Sequence, residues 1–128
     1  MFIRFVCGEI NESSRLAAGL FCATRHLKET AWVPKYELEA AEDITAWFDK
    51  HLASPFDYLP DVPRYEHAIC WFKSNASECL SKAWELVTIL ERNDILIWTV
   101  KSHRAGRVFY EDELQVFALP HPELRRQL

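Results

Sequence analysis

The chain of 128 residues carries a formal net charge of −4, and its residues are 49% hydrophobic and 27% charged. This composition is typical of a globular protein, and the length suffices for a single domain, 1–128, that buries roughly two thirds of its unfolded surface. The acidic balance argues against nucleic acid as a partner. No stretch approaches the roughly 20 apolar residues of a membrane span, and no signal-peptide pattern accompanies the strand-like run at residues 2–7. We therefore expect a cytoplasmic protein that does not bind a membrane.

The four cysteines lie singly in apolar segments, and no C-x-x-C pair occurs. Disulfide frameworks belong to secreted proteins, and structural zinc sites pair their ligands at short spacing. Isolated cysteines in apolar segments are typically buried reduced thiols. The sequence therefore predicts neither a disulfide nor a metal site at Cys7, Cys22, Cys70 and Cys79.

The N-terminal segment predicts a strand followed by a helix. Residues 2–7 place their apolar side chains mainly on one face, as a short strand does. Ser13 or Ser14 can cap a helix that runs to about residue 29, with Gly19 in its interior. A glycine inside a helix costs roughly 1 kcal/mol relative to alanine, so we expect another backbone to pass close to it.

A second helix and a loop come next. Pro34 suits the entry to a helix, which the apolar periodicity extends over residues 35–52. The following segment, residues 53–66, interleaves three prolines with aromatic side chains. This combination indicates a proline-rich loop packed onto the domain.

The central segment predicts a strand, a helix and a strand. Residues 68–72 and 95–100 are apolar on both alternating faces, which is typical of strands covered on both sides. Between them, Asn75 can cap a helix with Glu78 as its capping-box partner, and Asn93 suits the helix end. The helix carries one apolar stripe, formed by Ala76, Leu80, Ala83, Val87 and Leu90. A unit of this length fits two parallel strands joined by a right-handed crossover.

The C-terminal segment predicts a hairpin. Residues 101–106 are polar and end on a glycine, so they form a loop. Residues 107–111 and 114–119 are rich in strand-forming side chains and flank a tight turn at 112–113. Two prolines then end the strand ladder, and the tail at 120–128 is expected to fray.

The predicted fold is α/β with a mixed sheet, in the order β-α-α-β-α-β-β-β. It contains one parallel β-α-β crossover followed by an antiparallel hairpin. The last strand would lie at a sheet edge, where residues 116–119 would leave unpaired backbone groups beside apolar side chains. Because natural proteins usually cover such edges, the sequence also predicts a homodimer, with the proline-rich loop as the alternative cover.

The C-terminal hairpin also resembles a known group of proteins. It contains the pattern G-x-x-x-Y-E-D-x-x-Q-V from Gly106 to Val116, and W-F-K at residues 71–73 precedes the third helix. Both features are similar to a group of small bacterial proteins of no assigned activity, over about the C-terminal half of the chain. The resemblance implies a bacterial source and an independent small domain, and it implies no catalytic residue.

Several chemistries are excluded by the motifs that the sequence lacks. With three glycines in the chain, neither a phosphate-binding loop nor a dinucleotide fingerprint is present, and there is no G-x-S-x-G elbow. Cys7-Gly8 lacks the correctly spaced arginine of a thiol phosphatase. His26 and Glu29 share one helix turn, but no second pair completes a metal site. We therefore predict no catalytic residue and no cofactor.

The best candidate site is a basic edge of the predicted sheet. In a parallel pair, both strand ends and the start of the crossover helix meet at the edge where α/β proteins bind ligands. Helix N-termini and guanidinium groups both favour anions. The sequence therefore predicts an anion site formed by Lys73, Ser74, Asn75, Lys101, His103, Arg104 and Arg107. The opposite edge is expected to be acidic and to carry Glu66, Asp94 and residues 111–113.

Two functions are compatible with this sequence. The first is a non-catalytic binding or regulatory module whose partner is an anionic small molecule or an acidic protein surface. The alternative is a small enzyme or sensor acting on a phosphorylated or carboxylated metabolite. In that case His103 would transfer protons, and Arg104 and Arg107 would clamp the anion.

Overall fold

The computed structural model describes residues 1–10, 17–29, 32–54 and 68–120. Most of the predicted proline-rich loop, the serines predicted to cap the first helix, Glu66 and residues 121–128 of the predicted tail lie outside these ranges. In chain order the described elements are β1 (Phe2–Ile10), β2 (Ala17–Gly19), α1 (Leu20–Lys28), α2 (Lys35–His51), β3 (Ile69–Lys73), α3 (Ser77–Arg92), β4 (Ile97–Ser102), β5 (Arg107–Glu111) and β6 (Gln115–Leu119).

The six strands form one sheet in which every paired neighbour is antiparallel. Strand β1 pairs with β4 from Phe2 to Cys7. It also pairs with β3 near its start and with β2 near its end. Because a strand has two edges, β2 and β3 must share the edge of β1 that faces away from β4. Strand β6 then joins β3 to β5, so the prediction that the last strand lies at a sheet edge is wrong.

The predicted α/β fold with a parallel β-α-β crossover is wrong, because the protein has an α+β fold with an antiparallel sheet. Strands β3 and β4 both run antiparallel to β1. They therefore point the same way, but β1 lies between them and takes their hydrogen bonds. Hydrophobic periodicity identifies strands without identifying their partners, and the partner here is far away in the sequence.

The main core lies between the sheet and the three helices. It takes one face of β1 and β3 together with the apolar stripes of the helices. Its largest fully buried side chains are Phe5, Leu27, Leu86, Leu90 and Cys79. The predicted stripe of α3 is confirmed at Ala83, Val87 and Leu90, which are all buried.

A second, smaller cluster lies on the opposite face of the sheet. It consists of Ile69, Trp71, Ala105, Val116 and Ala118, with Phe2 and Val100 packed against it. Ala105 reaches this cluster because the connection from β4 to β5 passes over this face. Since a short connection covers less area than a helix, Trp98 on β4 remains 54% exposed. The prediction that residues 95–100 are covered on both faces is therefore wrong, whereas the burial of residue Trp71 on β3 is confirmed.

The first helix begins at a different residue from the one that the sequence predicts. Helix α1 begins at Leu20 because residues 17–19 form β2 instead of a helical turn. Gly19 ends this strand, and the guanidinium of Arg4 lies 3.7 Å from the position that a Cβ would take there. The prediction that a backbone passes close to Gly19 inside a helix is therefore wrong, because Gly19 ends a strand and the nearest atoms belong to a side chain at ordinary contact distance.

Helix α3 lacks the predicted capping box, but its end at Asn93 is confirmed. Its N-cap is Ala76, which makes no side-chain cap bond. At the other end, Asn93 donates its side-chain amide hydrogen to the carbonyl of Ile89 at 2.9 Å. The left-handed conformation belongs to the next residue, Asp94, with a φ of 65°.

Candidate functional site

The structure brings part of the predicted basic site together at one end of the sheet. Phe2 pairs with Lys73 on one side and with Ser102 on the other. The carboxyl ends of β3 and β4 therefore flank the start of β1, with Ser74 and Asn75 in the turn after β3. Lys101, His103 and Arg104 lie at the end of β4, where the Ser102 hydroxyl donates to the Arg104 carbonyl at 2.7 Å.

Arg107 does not belong to this group. It pairs with Leu119 at the start of β5, and the neighbouring Ala118 pairs with Ile69. Ile69 begins β3, whereas Lys73 ends it. Arg107 therefore lies at the opposite end of the sheet from Lys73.

The predicted acidic edge is also divided by the antiparallel topology. Glu111 ends β5 at the same end of the sheet as Lys73, and the Lys73 Nζ lies 2.6 Å from the Glu111 Oε2. The turn that follows is bonded to β3, since the Lys73 amide donates to the Leu114 carbonyl at 2.9 Å. The expectation that residues 111–113 lie opposite the basic group is therefore wrong. Lys73 is already engaged by a carboxylate.

Asp112 organises the turn between β5 and β6. Its Oδ1 accepts hydrogen bonds from the amides of Leu114 at 2.8 Å and Gln115 at 3.0 Å. Its Oδ2 accepts from the Tyr110 hydroxyl at 3.0 Å and from the Gln115 side-chain amide at 3.3 Å. Tyr110, Asp112 and Gln115 are residues of the G-x-x-x-Y-E-D-x-x-Q-V pattern. The pattern thus has a structural role in fixing this turn.

The hydrogen bonds to Asp112 predict that the folded protein loses stability in acid. Partial burial raises the pKa of Asp112, but the hydrogen bonds from Leu114, Gln115 and Tyr110 outweigh burial and lower it below its ordinary value of 3.8. Since a carboxylate with a depressed folded-state pKa stabilises the fold above its unfolded pKa, this contribution should disappear as the pH falls through the folded-state value. Unfolding midpoints measured from neutral pH down to about pH 2 should show it.

Two variants make this acid test specific. Asp112→Asn should flatten the acid limb of the stability profile, because the variant has no charge to lose. Glu113→Gln, in the same turn but exposed, should leave that limb unchanged. A wild-type profile that matches the Asp112→Asn profile would contradict the assigned role.

A cleft that the sequence did not predict lies between α1 and α2, above β3 and β6. Its volume is about 680 Å³, within the roughly 300–1,000 Å³ typical of small-molecule sites. Helix α1 contributes Phe21, Thr24, Arg25 and Lys28, and helix α2 contributes Thr45, Phe48, Asp49 and Leu52. On each helix these residues follow the spacing i, i+3, i+4, i+7, so that they form one face.

The walls of the cleft are largely aromatic. The ring of Phe21 meets that of Phe48 edge-on, with their centroids 5.1 Å apart. Phe48 also packs against Phe72 in the core at 5.9 Å, which fixes one wall to the sheet. Phe117 on β6 lines the side nearest the sheet. Phe21 is 40% exposed although it is a large apolar residue.

The charged groups of the cleft lie at its mouth. Arg25 and Lys28 project from α1 and are exposed, and Asp49 faces them from α2. None of the three forms an ion pair with another described residue. The mouth therefore offers two cationic groups and one carboxylate to a ligand.

The floor of the cleft is polar but uncharged. Gln115 is 1% exposed, and its side-chain amide donates to the Ala53 carbonyl at 2.8 Å. The Cys70 thiol donates to the Gln115 Oε1 at 3.1 Å. Burial raises the pKa of Cys70 to about 12, although the positive charge of Arg4 opposes the shift. The thiol therefore remains neutral, which argues against a nucleophilic cysteine at this position.

All four cysteines are free, as predicted. We expect the non-reduced protein, alkylated after denaturation and analysed by mass spectrometry, to carry four labels. In the folded protein, Cys70 should react much more slowly than denatured Cys70 at the same pH, because its pKa is raised. The denatured protein supplies the control. A native crosslink between any two cysteines would contradict the prediction.

The sequence contains a sign of this cleft, but the meaning of that sign depends on the tertiary structure. Phe21 lies beside the apolar stripe of the first helix, and an amphipathic helix buries such a stripe in most domains. Only the separation between α1 and α2 leaves Phe21 accessible. An aromatic residue followed at helical spacing by Arg25 and Lys28 was the available sign of an apolar wall with a cationic rim.

The described ranges contain neither a cluster of metal-ligating side chains nor a helix that could cross a membrane. No group of three or more His, Cys, Asp or Glu side chains there could hold a metal ion. The Nδ1 atom of His26 and the Oε2 atom of Glu29 are 3.8 Å apart, but both side chains are exposed and form a simple ion pair. In the same part of the chain, no helix is long and apolar enough to cross a membrane.

Three comparisons with known proteins complete the description of the site. They cover the models of protein families, the curated proteins and the solved structures. None of them contains a match to this chain.

Proposed function

We propose that the protein is a non-catalytic binding module for an organic anion with an apolar body. The observation that carries the proposal is the cleft between α1 and α2. It combines aromatic walls with Arg25 and Lys28, two cations that have no acidic partner in the described structure. Its ligand class is a carboxylate or phosphate ester attached to an alkyl or aryl group.

The physical argument has two parts. Phe21, Phe48 and Phe117 offer apolar surface, and burial of apolar area contributes about 25 cal/mol per Å². The two cations at the mouth attract a charged head group without requiring a charge to be buried at the floor. A charge-assisted hydrogen bond contributes roughly 1.5–3 kcal/mol. The neutral Cys70–Gln115 pair leaves the deep end of the cleft free of charge, so the apolar body fits there and the anion fits at the mouth.

The predicted basic edge supports this function less well. Lys73 is already paired with Glu111, and Arg107 lies at the other end of the sheet. Lys101, His103 and Arg104 remain together at one end and stay a predicted anion site. For the enzymatic alternative, His103 is exposed, and no hydrogen bond to another described residue orients its ring. The binding function is therefore the one that we propose.

The test compares a charged ligand with its neutral counterpart. Decanoate and decanol share an alkyl chain and differ in the head group, and each can be titrated by displacement of the dye anilinonaphthalene sulfonate. We expect the wild-type protein to bind decanoate at least about tenfold more tightly than decanol, since one charge-assisted hydrogen bond corresponds to this factor or more. Arg25→Ala/Lys28→Ala should abolish that preference and leave decanol binding nearly unchanged.

The matched control also removes two positive charges, but outside the cleft. Arg104→Ala/Arg107→Ala neutralises two arginines of the predicted basic site and should leave the decanoate preference intact. If this double variant loses the preference and the Arg25→Ala/Lys28→Ala variant retains it, the anion binds at the basic edge and the cleft proposal is wrong. If neither ligand displaces the dye from the wild-type protein, the binding function itself is wrong.

A cytoplasmic location remains part of the proposal. It is supported by the four free cysteines, because reducing compartments keep thiols unpaired. The bacterial source implied by the C-terminal hairpin stays a prediction.

A further inference from the structure

Strand β4 is a sheet edge with apolar side chains on both of its faces. Within the described part of the chain it pairs with β1 and with no other strand. Leu96 and Trp98 are 61% and 54% exposed, and both belong to the face opposite the helices. An exposed edge with large apolar side chains invites pairing with another strand.

Trp84 extends this apolar surface on the helix side. Lys82 faces α2, since its ammonium lies 5.9 Å from the ring centre of Trp47. Trp84 is two residues further along α3, which places it about 200° around the helix axis and away from α2. Its ring meets Phe5 edge-on at 5.1 Å, and Phe5 pairs with Thr99 of β4. Trp84 is nevertheless 50% exposed, so it flanks the open edge.

The edge strand at the far side of the sheet, β5, lacks these properties. It begins with Arg107, ends with Glu111 and contains a bulge between Val108 and Tyr110. Charged ends and bulges are devices by which natural sheets prevent edge pairing. The register of β4 against β1 is continuous from residue 97 to residue 102, so β4 presents a regular strand to a partner.

We propose that β4 is a dimer interface at which two copies of this chain pair antiparallel across a two-fold axis through Trp98. The inference is independent of the cleft and goes beyond ligand binding. Residues opposed across such a pair share one face of the joined sheet. On the face away from the helices, Trp98 opposes its own copy and Leu96 opposes Val100. On the helix face, Ile97 opposes Thr99 and Ile95 opposes Lys101.

A second copy suits this edge because its charges complement those already present. Lys101 of one copy comes opposite Ile95 of the other. Ile95 lies three residues after the end of α3, and its amide donates to the Leu90 carbonyl at 3.0 Å. Glu91, the next residue of α3, lies on the same flank as Trp84, two helical turns further on. Each Lys101 thus approaches the partner's exposed Glu91, and neither residue forms an ion pair with another described residue of its own copy.

The contact between Lys101 and Glu91 must cross the interface. Ile95 and Lys101 are six residues apart on an extended segment, which is about 20 Å. Within one copy Lys101 is therefore too far from Glu91 for an ion pair. A charge reversal at both positions can restore association only if two copies meet in this register.

The experiment measures the association of the full chain by sedimentation equilibrium across the micromolar range. We expect the wild type to form a dimer. Lys101→Glu and Glu91→Lys should each weaken dimerisation at least about tenfold, since like charges replace opposite ones. The double variant should recover most of the wild-type affinity. Trp98→Lys should give a monomer, because it sets two lysines against each other at the axis.

Val108→Lys is the matched control, since Val108 is an exposed apolar residue on the same face of the other edge strand. It should leave the dimer unchanged. Circular dichroism of each variant verifies that the fold is retained. A wild type that remains monomeric across this range would overturn the proposal. A dimer that Val108→Lys dissolves, or one in which the double reversal restores nothing, would also overturn it.

Discussion

Replacing Trp71 by alanine is expected to lower the free energy of unfolding by about 3–5 kcal/mol, the usual cost of removing a large buried aromatic side chain. Trp71 is fully buried at the centre of the cluster on the sheet face opposite the helices. A short connection covers this cluster where a layer of helices would otherwise lie. The resulting cavity therefore has few neighbours that can collapse into it, which favours the upper part of this range.

Two further variants test the origin of this loss in urea titrations at low protein concentration. Trp71→Phe keeps much of the buried apolar volume and removes a buried indole N–H that has no acceptor among the described residues, so it should cost clearly less than Trp71→Ala. Trp98→Ala should cost less than about 1 kcal/mol, because an exposed side chain loses little packing. Equal losses for Trp71→Ala and Trp98→Ala would contradict the described burial.

The second large effect is expected for Gln115→Glu. This change keeps the shape of the side chain, but it removes the amide that donates to Ala53 and Asp112. It also places a buried carboxylate beside that of Asp112. A buried charge without a partner costs about 3–5 kcal/mol, so the variant should be strongly destabilised at neutral pH.

The pH dependence of the destabilisation distinguishes the cost of the buried charge from the cost of the lost hydrogen bonds. Burial and a neighbouring carboxylate both raise the pKa of a carboxyl group, so the folded Gln115→Glu variant would bind a proton more tightly than the unfolded chain. Its destabilisation should shrink as the pH falls from 7 towards about 4. Gln115→Met keeps the length of the side chain without a charge and should show a smaller loss, without this pH dependence. A Gln115→Glu variant as stable as the wild type at pH 7 would show that Gln115 is not buried as described.

Several elements could be predicted from local pattern alone. The strand at residues 69–73, helix α2, helix α3 and the C-terminal hairpin all follow from apolar periodicity and turn residues, and the structure contains them within a few residues of the expected bounds. Strand β2 was missed because residues 17–19 continue a helical apolar pattern. Their strand conformation depends on pairing with β1, which is a tertiary contact.

The candidate sites also contain parts that the sequence could predict and parts that it could not. The sequence placed Lys73, Lys101, His103 and Arg104 at one end of the sheet, where they lie because β3 and β4 point in the same direction, and their anion binding stays a prediction. It misplaced Arg107 and the acidic turn, since their positions depend on the side of β3 to which β6 and β5 attach. The cleft depends on the distance between two helices, and a helical stripe does not encode that distance.

The sequence by itself determined where most of the helices and strands form and which catalytic motifs are absent. These properties depend on neighbours within about one helical turn or two strand positions, so periodicity contains them. Only the tertiary structure decided that β1 separates β3 from β4, that Trp98 is exposed while Trp71 is buried, and that Phe21 faces a cleft. Each of these depends on contacts between residues far apart in the chain, whose choice among competing partners is set by packing of the whole domain.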